Sequence, residues 1–271
     1  MIQSLRRQAS VYGAFAAMVP KQYLAYNIWV WMEFIVQIMT MIIFVHFWRA
    51  VYANASAPLG GLSLQQTINY ILLAQIVAPL VQNRVIFSFG FLIQSGQIAV
   101  ELVRPVDFQL RHYVQELGGL LVFAVQKLPL LLLAWLVFGL QLPADPAAWG
   151  AFAVSFVLGA SIIFFFDTLF ACLAFYTTET WGLSVVRSGV AAFFSGALLP
   201  LTMLPEWLQR IGNLLPFAQS LYIPTSFLSG ITPVSDAPRV WLVQLAWLVG
   251  LCVASRAVFN VAVRKVTVQV G

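Results

Sequence analysis

Apolar residues in this chain form long windows, separated by short segments rich in proline, glycine and polar side chains. Windows of this length can cross a hydrocarbon layer of about 30 Å as single helices. They comprise residues 28–48, 68–89, 117–140, 149–176, 183–203 and 240–263. The pattern therefore predicts an all-α integral membrane protein with six transmembrane helices in a single transmembrane domain, residues 1–271.

The segment before the first window, residues 2–22, mixes apolar and basic side chains. These are Leu5, Val11, Phe15 and Met18 with Arg6, Arg7 and Lys21. Such a mixture is typical of an amphipathic helix that lies at the membrane interface. We expect this segment to lie on the membrane rather than cross it, and its sequence does not predict a cleaved signal peptide.

Between the second and third windows, apolar residues alternate with polar and charged ones. The apolar members are Ile93, Ile98, Leu102 and Val103, and the polar members are Gln97, Glu101, Arg104 and Asp107. This spacing predicts a short amphipathic helix that ends at Pro105. Two interpretations remain open: a docking element for a cytoplasmic partner, or an interfacial helix that touches only lipid headgroups.

Prolines interrupt the apolar stretch between the fifth and sixth windows. They are Pro200, Pro205, Pro216 and Pro224. Because proline breaks or kinks a helix, residues 200–230 cannot cross the membrane as one straight helix, although they are too apolar for an ordinary loop. We predict a re-entrant hairpin on the outer side, which includes Glu206, Trp207 and Arg210.

Composition supports the membrane class, since 61% of the 271 residues are hydrophobic and 8% are charged. The mean hydropathy is +0.90. Basic residues mark the cytoplasmic ends of membrane proteins, so the net charge of +5 does not call for a nucleic-acid partner.

The distribution of basic residues predicts the orientation. One side would carry Arg6, Arg7, Lys21, Arg104, Arg111, Arg187, Arg264 and Lys265. The other side would carry Arg49, Arg210 and Arg239. Because short loops rich in Lys and Arg stay inside, we expect both termini to be cytoplasmic.

Catalytic and metal-binding motifs do not occur in the sequence. It contains no GxxxxGK[ST] phosphate loop, no HExxH and no nucleophile elbow, and His46 and His112 lie far apart. Cys172 and Cys252 fall within apolar windows, so we predict no disulfide. We expect a chain that is not an enzyme and that holds no metal or cofactor itself.

Five charged residues fall within or at the ends of the windows, where a lone charge costs several kcal/mol. They are Glu33, Arg84, Lys127, Asp167 and Arg256. At a rise of about 1.5 Å per residue, they cluster in the cytoplasmic half of the membrane. They could form structural ion pairs or reach the inner surface, or they could line an inward-open vestibule that rearranges during transport.

The order of these segments resembles an ABC-2-type exporter permease, and more narrowly a permease encoded beside a separate ATPase. The resemblance covers nearly the whole chain and rests on SGQIAVELVRPVDF at 95–108 and on GALLPLTMLPEWLQRIGNLLPFAQSLYIPTSFLSG at 196–230. It implies two permease subunits, each docked on an ATP-binding subunit that holds ATP and Mg²⁺. It also implies the bacterial inner membrane as the location, an N-terminal connecting helix near residues 3–21, and a subunit seam near spans one and five.

The resemblance assigns roles by position. Residues 95–107 would be the coupling helix that docks on the ATPase, with Ser95, Gln97, Glu101, Arg104, Pro105 and Asp107. The extracellular hairpin would contain Pro200, Pro205, Glu206, Trp207, Arg210 and Pro216. Independently of the resemblance, small residues in spans four and five lie at small-xxx-small spacing, which favours close helix packing within the chain over a dimer seam. They are Ser155, Gly159, Ser188, Ala192 and Gly196.

These observations favour an exporter subunit that moves an amphipathic or hydrophobic cargo outward, with ATP hydrolysed by a partner chain. Movement would pass from the coupling helix into spans two and three. The alternative is an ion- or proton-coupled secondary transporter that uses Glu33 and Asp167. A membrane scaffold without transport is a third possibility.

Overall fold

The computed structural model describes residues 27–82, 85–177 and 180–268, together with Gly13. Within these residues the chain is helical and contains no β-strand. The helices are α1 (Asn27–Ala53), α2 (Leu64–Val81), α3 (Val85–Gln94), α4 (Ile98–Val103), α5 (Phe108–Phe138), α6 (Pro146–Ala171), α7 (Thr180–Phe194), α8 (Glu206–Leu214), α9 (Pro216–Ser220), α10 (Tyr222–Leu228) and α11 (Ala237–Val268). The predicted N-terminal helix and Arg84 lie outside the described residues.

Five of the described helical stretches are long and apolar enough to cross a membrane. They are Trp31–Ala53, Leu64–Gln94, Phe108–Phe138, Pro146–Phe175 and Val234–Arg264. The second stretch contains α2 and α3, and the fourth extends α6 by a 3₁₀ turn, Cys172–Phe175. The protein is therefore a multi-pass membrane protein.

The predicted fifth span, residues 183–203, needs correction. Its helix, α7, ends at Phe194, and a separate 3₁₀ turn follows at Leu201–Met203. At about 1.5 Å per residue, α7 extends about 22 Å, which is shorter than the hydrocarbon layer. The sequence correctly indicated an apolar helix here but overestimated its length.

Glycine and proline end α7. Gly196 has a φ of +82°, and a Cβ at this position would collide with the hydroxyl of Tyr70. Only glycine fits both constraints without strain. Pro200 then removes a backbone donor, so the apolar sequence beyond Phe194 cannot continue as a helix.

Side-chain caps fix where two of the long helices begin. Asp107 caps α5 by accepting a 2.8 Å hydrogen bond from the Leu110 N–H. Asp145 caps α6 in the same way through Ala147, and Pro146 occupies the first turn. Both patterns satisfy backbone donors that a helix start leaves without partners.

The central helix of the bundle is α6, which packs against α11, α9, α10 and α3. It approaches α9 closely at Gly159, where a Cβ would lie 2.5 Å from the Gln219 carbonyl oxygen and 2.8 Å from the Ser220 Cα. The absence of a side chain therefore allows the short helix α9 to lie directly against α6.

The proline-rich region forms two unlike halves. The first, α8, is largely exposed, with only Gly212 buried. In the second, α9 is entirely buried and α10 nearly so, both packed against α6. Interrupted helices are tolerated at membrane depth where protein covers them, and the re-entrant hairpin stays a prediction.

Candidate functional site

A cavity of about 1110 Å³ lies among α1, α2, α3, α5, α6, α7 and α9. Its wall combines amides, hydroxyls and charges with apolar side chains. The polar lining residues include Glu33, Gln37, Gln75, Gln115, Glu116, Gln126, Lys127, Asp167, Ser184 and Arg187. A wall of this mixed character can contact both the polar and the apolar part of an amphipathic molecule.

One charged pair in the cavity joins α1 to α5. The Lys127 ammonium donates to Glu33 Oε1 at 2.6 Å and to Gln37 Oε1 at 2.8 Å. Glu33, Gln37 and Thr40 line the cavity together because positions i, i+4 and i+7 share one face of a helix. The Glu33 side chain is 44% exposed and Lys127 only 10%, so Glu33 is the more accessible partner.

A second charged pair joins α6 to α7. The Arg187 guanidinium donates from Nε and Nη2 to the two carboxylate oxygens of Asp167, each at 2.7 Å. The Asp167 side chain is only 1% exposed. Arg187 also lies 5.6 Å from the ring centroid of Phe217 in α9. This one cation therefore contacts both α6 and α9.

The cavity reaches the interruption after α7. Ser195 and Ala197 line it, and the Ala197 carbonyl accepts a 3.1 Å hydrogen bond from Gln75 Nε2. The Gly196 carbonyl accepts a 2.8 Å hydrogen bond from the Tyr70 hydroxyl. Side chains of α2 thus satisfy two backbone carbonyls in the non-helical segment that follows α7.

The predicted coupling segment contains the short helix α4, which two basic residues hold in place. Glu101 pairs with Arg104 at 3.0 Å and with Arg111 on α5. Ile98 is buried, whereas Val100 and Val103 are 67% and 85% exposed. The helix therefore presents two valines outward at the loop that connects α3 to α5.

The remaining predicted coupling residues flank α4. Ser95 donates a 2.7 Å hydrogen bond to the Phe91 carbonyl, Gln97 precedes the helix, and Pro105 follows it. Asp107 pairs with Arg256 on α11. Partial burial acts to raise the pKa of the Asp107 carboxyl, but hydrogen bonds from Arg256 and Leu110 outweigh it and hold that pKa below its ordinary value.

The predicted hairpin residues mostly lie at element boundaries. Pro200 and Pro205 immediately precede the Leu201–Met203 turn and α8, and Pro216 begins α9. Glu206 and Arg210 form an exposed pair at 3.5 Å. Trp207 is exposed on the same helix.

The structure separates the predicted charges into different sites. Glu33, Lys127 and Asp167 line one cavity, whereas Arg256 lies at the coupling segment. The sequence interpretation did not place Arg187, Gln37 or Gln75 in this site. Each of these residues is a polar side chain within an apolar window, which could have marked it as a candidate. Gln37 also follows Glu33 by four residues, so the two share one helix face.

The described residues offer no evident metal centre, because no three His, Cys, Asp or Glu side chains group together among them. His46 and His112 bond to carbonyls within their own helices. Cys172 and Cys252 are both free thiols.

The chain matches a family model described as ABC-2 family transporter protein over residues 15–269. No curated protein matches it significantly. The match spans nearly the full sequence, including every helix that contributes to the cavity and the segment around α4. The chain therefore belongs to the ABC-2 family of transporter proteins, as its hydrophobic pattern and its two proline- and glycine-marked segments predicted.

Proposed function

We propose that this chain is the permease subunit of an ATP-driven exporter that moves an amphipathic or hydrophobic cargo out of the cell. The observation that carries the proposal is the mixed polar and apolar cavity of about 1110 Å³ within the helix bundle. Family membership implies association with an ABC-type ATPase. ATP and Mg²⁺ would be held by that separate chain.

Chain order supports an inward-facing cavity. The loop that contains α4 connects α3 to α5, so α5 begins on the α4 side of the membrane. Because successive spans alternate in direction, α1 and α7 begin on the same side. From Gln115 to Lys127 the lining follows α5 for about 18 Å away from that side. Basic residues favour this side as cytoplasmic, in a bacterial inner membrane.

The exposed valines of α4 support a docking role. Val100 and Val103 point away from the bundle, while Ile98 and the Glu101 ion pairs anchor the opposite face. Two exposed valines on an anchored helix are suited to bind in a complementary apolar pocket on an ATPase subunit. We assign the coupling role to this loop.

A second permease subunit would complete the transporter. The outer face of α1 exposes a row of large apolar side chains, and α7 exposes another. They are Trp31, Ile35, Met39, Ile42, Trp181, Val185 and Val186. Lipid or a second copy of the chain can cover such faces, and we propose that part of this surface forms the dimer seam.

Ion coupling through Glu33 and Asp167 is less favoured by the geometry. Lys127 contacts the first carboxylate and Arg187 contacts both oxygens of the second. A proton- or ion-coupled carrier would have to separate these pairs in every cycle. The bidentate and almost fully buried Asp167–Arg187 pair is costly to separate.

Purification of the tagged chain in mild detergent, with identification of the soluble protein bound to it, tests the proposal. We expect an ABC-type ATPase that is lost when Val100 and Val103 are both replaced by glutamate. The control replaces exposed Asn213 on α8 by aspartate, which adds a negative charge outside the coupling segment and should leave the ATPase bound.

The purified complex is then placed in lipid vesicles with neutral, zwitterionic and cationic fluorescent amphiphiles. We expect vanadate-sensitive, ATP-dependent movement of at least one of them. A folded chain that binds no ATPase and whose flux follows a proton gradient would overturn the proposal in favour of the ion-coupled carrier.

A further inference from the structure

The start of α5 and the last helix, α11, are joined by polar contacts that run in both directions. Arg256 pairs with Asp107 and donates from Nη1 to Gln109 Oε1 at 3.2 Å. Gln109 Nε2 in turn donates to the Ser255 carbonyl at 3.2 Å. Gln109 and Ser255 are both buried, whereas the Asp107 and Arg256 side chains are 30% and 47% exposed, so only the inner part of this junction is shielded from solvent.

Aromatic packing reinforces the junction. The rings of Phe108 and Phe259 stack with centroids 5.3 Å apart and planes 7° apart. Phe89 of α3 lies 4.8 Å from Phe108. Both α3 and α5 flank the coupling loop, and both are thereby held against the same part of α11.

The other half of α11 holds the re-entrant region. The fully buried Gln244 donates from Nε2 to the Gln219 carbonyl at 2.9 Å and to the Ser155 carbonyl at 3.1 Å. Its Oε1 accepts a 3.0 Å hydrogen bond from the Ser155 hydroxyl. Gln219 belongs to α9, which also carries Phe217 and Ser220 in the cavity wall.

We propose that α11 transmits movement of the coupling loop to the re-entrant helix α9, with Arg256 and Gln244 as the positioning residues at its two junctions. The inference rests on the proposed function and differs from the sequence prediction, in which movement passes from the coupling helix into spans two and three. The two junctions are about 18 Å apart along one uninterrupted helix. A straight helix transmits displacement over that distance because its hydrogen-bond ladder resists compression.

The geometry gives a specific consequence at the cavity. A shift of the coupling loop displaces Asp107, which moves Arg256 and with it α11. The shift of α11 then displaces the Gln219 carbonyl through its hydrogen bond with Gln244. Phe217 and Ser220 then move relative to the cavity. The covalent continuation of the loop into α5 reaches the same cavity at Gln115 and Glu116.

The test uses the complex with its ATPase in lipid vesicles. The permease carries the reporter substitution Ser220→Cys, and its own cysteines are removed by Cys172→Ala and Cys252→Ser. The rate at which a small charged methanethiosulfonate reagent modifies this cysteine is measured without nucleotide and after trapping with ATP and vanadate. For the otherwise unaltered complex, we expect the two rates to differ by roughly tenfold.

Arg256→Met and Asp107→Asn should each reduce that difference to about twofold or less while the ATPase remains bound. Asparagine retains an oxygen that can cap α5, so Asp107→Asn removes the charge with little loss of the helix start. Because both residues act through one contact, the double variant should be no worse than either single variant.

Further variants separate a positioning role from a loss of structure. Arg256→Lys retains the charge and should restore most of the difference between the two modification rates. Gln244→Leu removes the contact at the other junction and should abolish that difference. Arg239→Met, at the exposed beginning of the same helix, is the matched control. It should leave the difference between the two modification rates unchanged.

A complex that binds ATPase and responds normally with Arg256→Met and Gln244→Leu overturns this route and leaves the proposed function intact. Effects of Asp107→Asn and Arg256→Met that multiply in the double variant also overturn it. Absence of any bound ATPase overturns the proposed function itself, and the inference with it.

Discussion

The guanidinium of Arg187 donates two 2.7 Å hydrogen bonds to the carboxylate of Asp167, and this pair ties the short helix α7 to the central helix α6. Asp167 is almost fully buried, and Arg187 also lies over Phe217. A lone charge at this depth costs several kcal/mol, so the pair largely offsets the cost of placing either group there.

Replacement of Asp167 by asparagine should leave Arg187 buried without its counter-charge. We expect the free energy of unfolding to fall by about 3–5 kcal/mol, as for other buried pairs that lose one partner. The midpoint of thermal unfolding in detergent, followed by fluorescence, measures this loss.

The double variant Asp167→Leu and Arg187→Met removes both charges and should recover most of that stability. A normal unfolding midpoint for Asp167→Asn alone would contradict a structural role for the pair. It would return Asp167 to the group of residues available for transport chemistry.

Glu33 should behave differently because its side chain lines the cavity and is 44% exposed. We expect Glu33→Gln to reduce ATP-dependent movement of the fluorescent amphiphile that the unaltered complex transports. Stability should fall by less than for Asp167→Asn, because Glu33 is partly exposed and the buried Lys127 keeps Gln37 as a hydrogen-bond acceptor.

Glu206→Gln is the matched control for Glu33, since it removes one carboxylate from the exposed Glu206–Arg210 pair on α8. Transport by this variant should be unchanged. Equal transport by Glu33→Gln and the unaltered complex would remove Glu33 from the proposed transport path.

Gly159→Ala tests the close packing of α9 on α6. The new methyl group would lie 2.5 Å from the Gln219 carbonyl oxygen and 2.8 Å from the Ser220 Cα, so backbone must move. We expect a loss of about 1–3 kcal/mol, the usual cost of overpacking, measured as a lower thermal midpoint.

Gly150→Ala, on the same helix, provides the comparison. Its Cβ would meet nothing within 4 Å, so the higher helix propensity of alanine should leave stability equal or raise it by up to about 1 kcal/mol. Equal effects at the two glycines would argue against direct contact between α6 and α9.

The pH dependence of stability should report on Asp107. Its pKa is lower in the folded protein, so its ionised form contributes stability above the unfolded pKa of about 3.9. That contribution is lost as pH falls through the lowered folded pKa. The difference in thermal midpoint between the unaltered protein and Asp107→Asn should therefore be constant from about pH 7 to pH 5 and disappear in stronger acid.

A difference that already shrinks between about pH 7 and pH 5 would mean that Asp107 does not titrate as an ion-paired carboxylate. Arg104→Met at the exposed end of α4 serves as a second reference for the thermal midpoint. It removes the neighbouring Arg104–Glu101 pair and keeps the Asp107 carboxyl.

Local sequence patterns predicted much of the fold. The windows at 28–48 and 117–140 correspond to α1 and α5, and a short helix occurs within 95–107 as the alternation of polar and apolar residues indicated. The length of α7 was predicted wrongly because its end depends on Gly196 and its contact with Tyr70, a residue on another helix.

The candidate site was predictable only in part. Glu33, Lys127 and Asp167 were recognisable as charges in apolar windows, but their partners were not. Lys127 and Glu33 are 94 positions apart, and Arg187 and Asp167 are 20 apart. Which charges meet is decided by how the helices pack, and helical periodicity carries no information about that.

The sequence by itself determined that the chain enters a membrane, which windows become long helices, and to which transporter family it belongs. Apolar transfer energies and proline breaks act over short stretches, so they can be read along the chain. Tertiary structure alone decided the pairing of the charges, the burial of α9 against Gly159 and the junctions of α11. Each of these depends on contacts between residues distant in the sequence, which form only when the whole bundle is assembled.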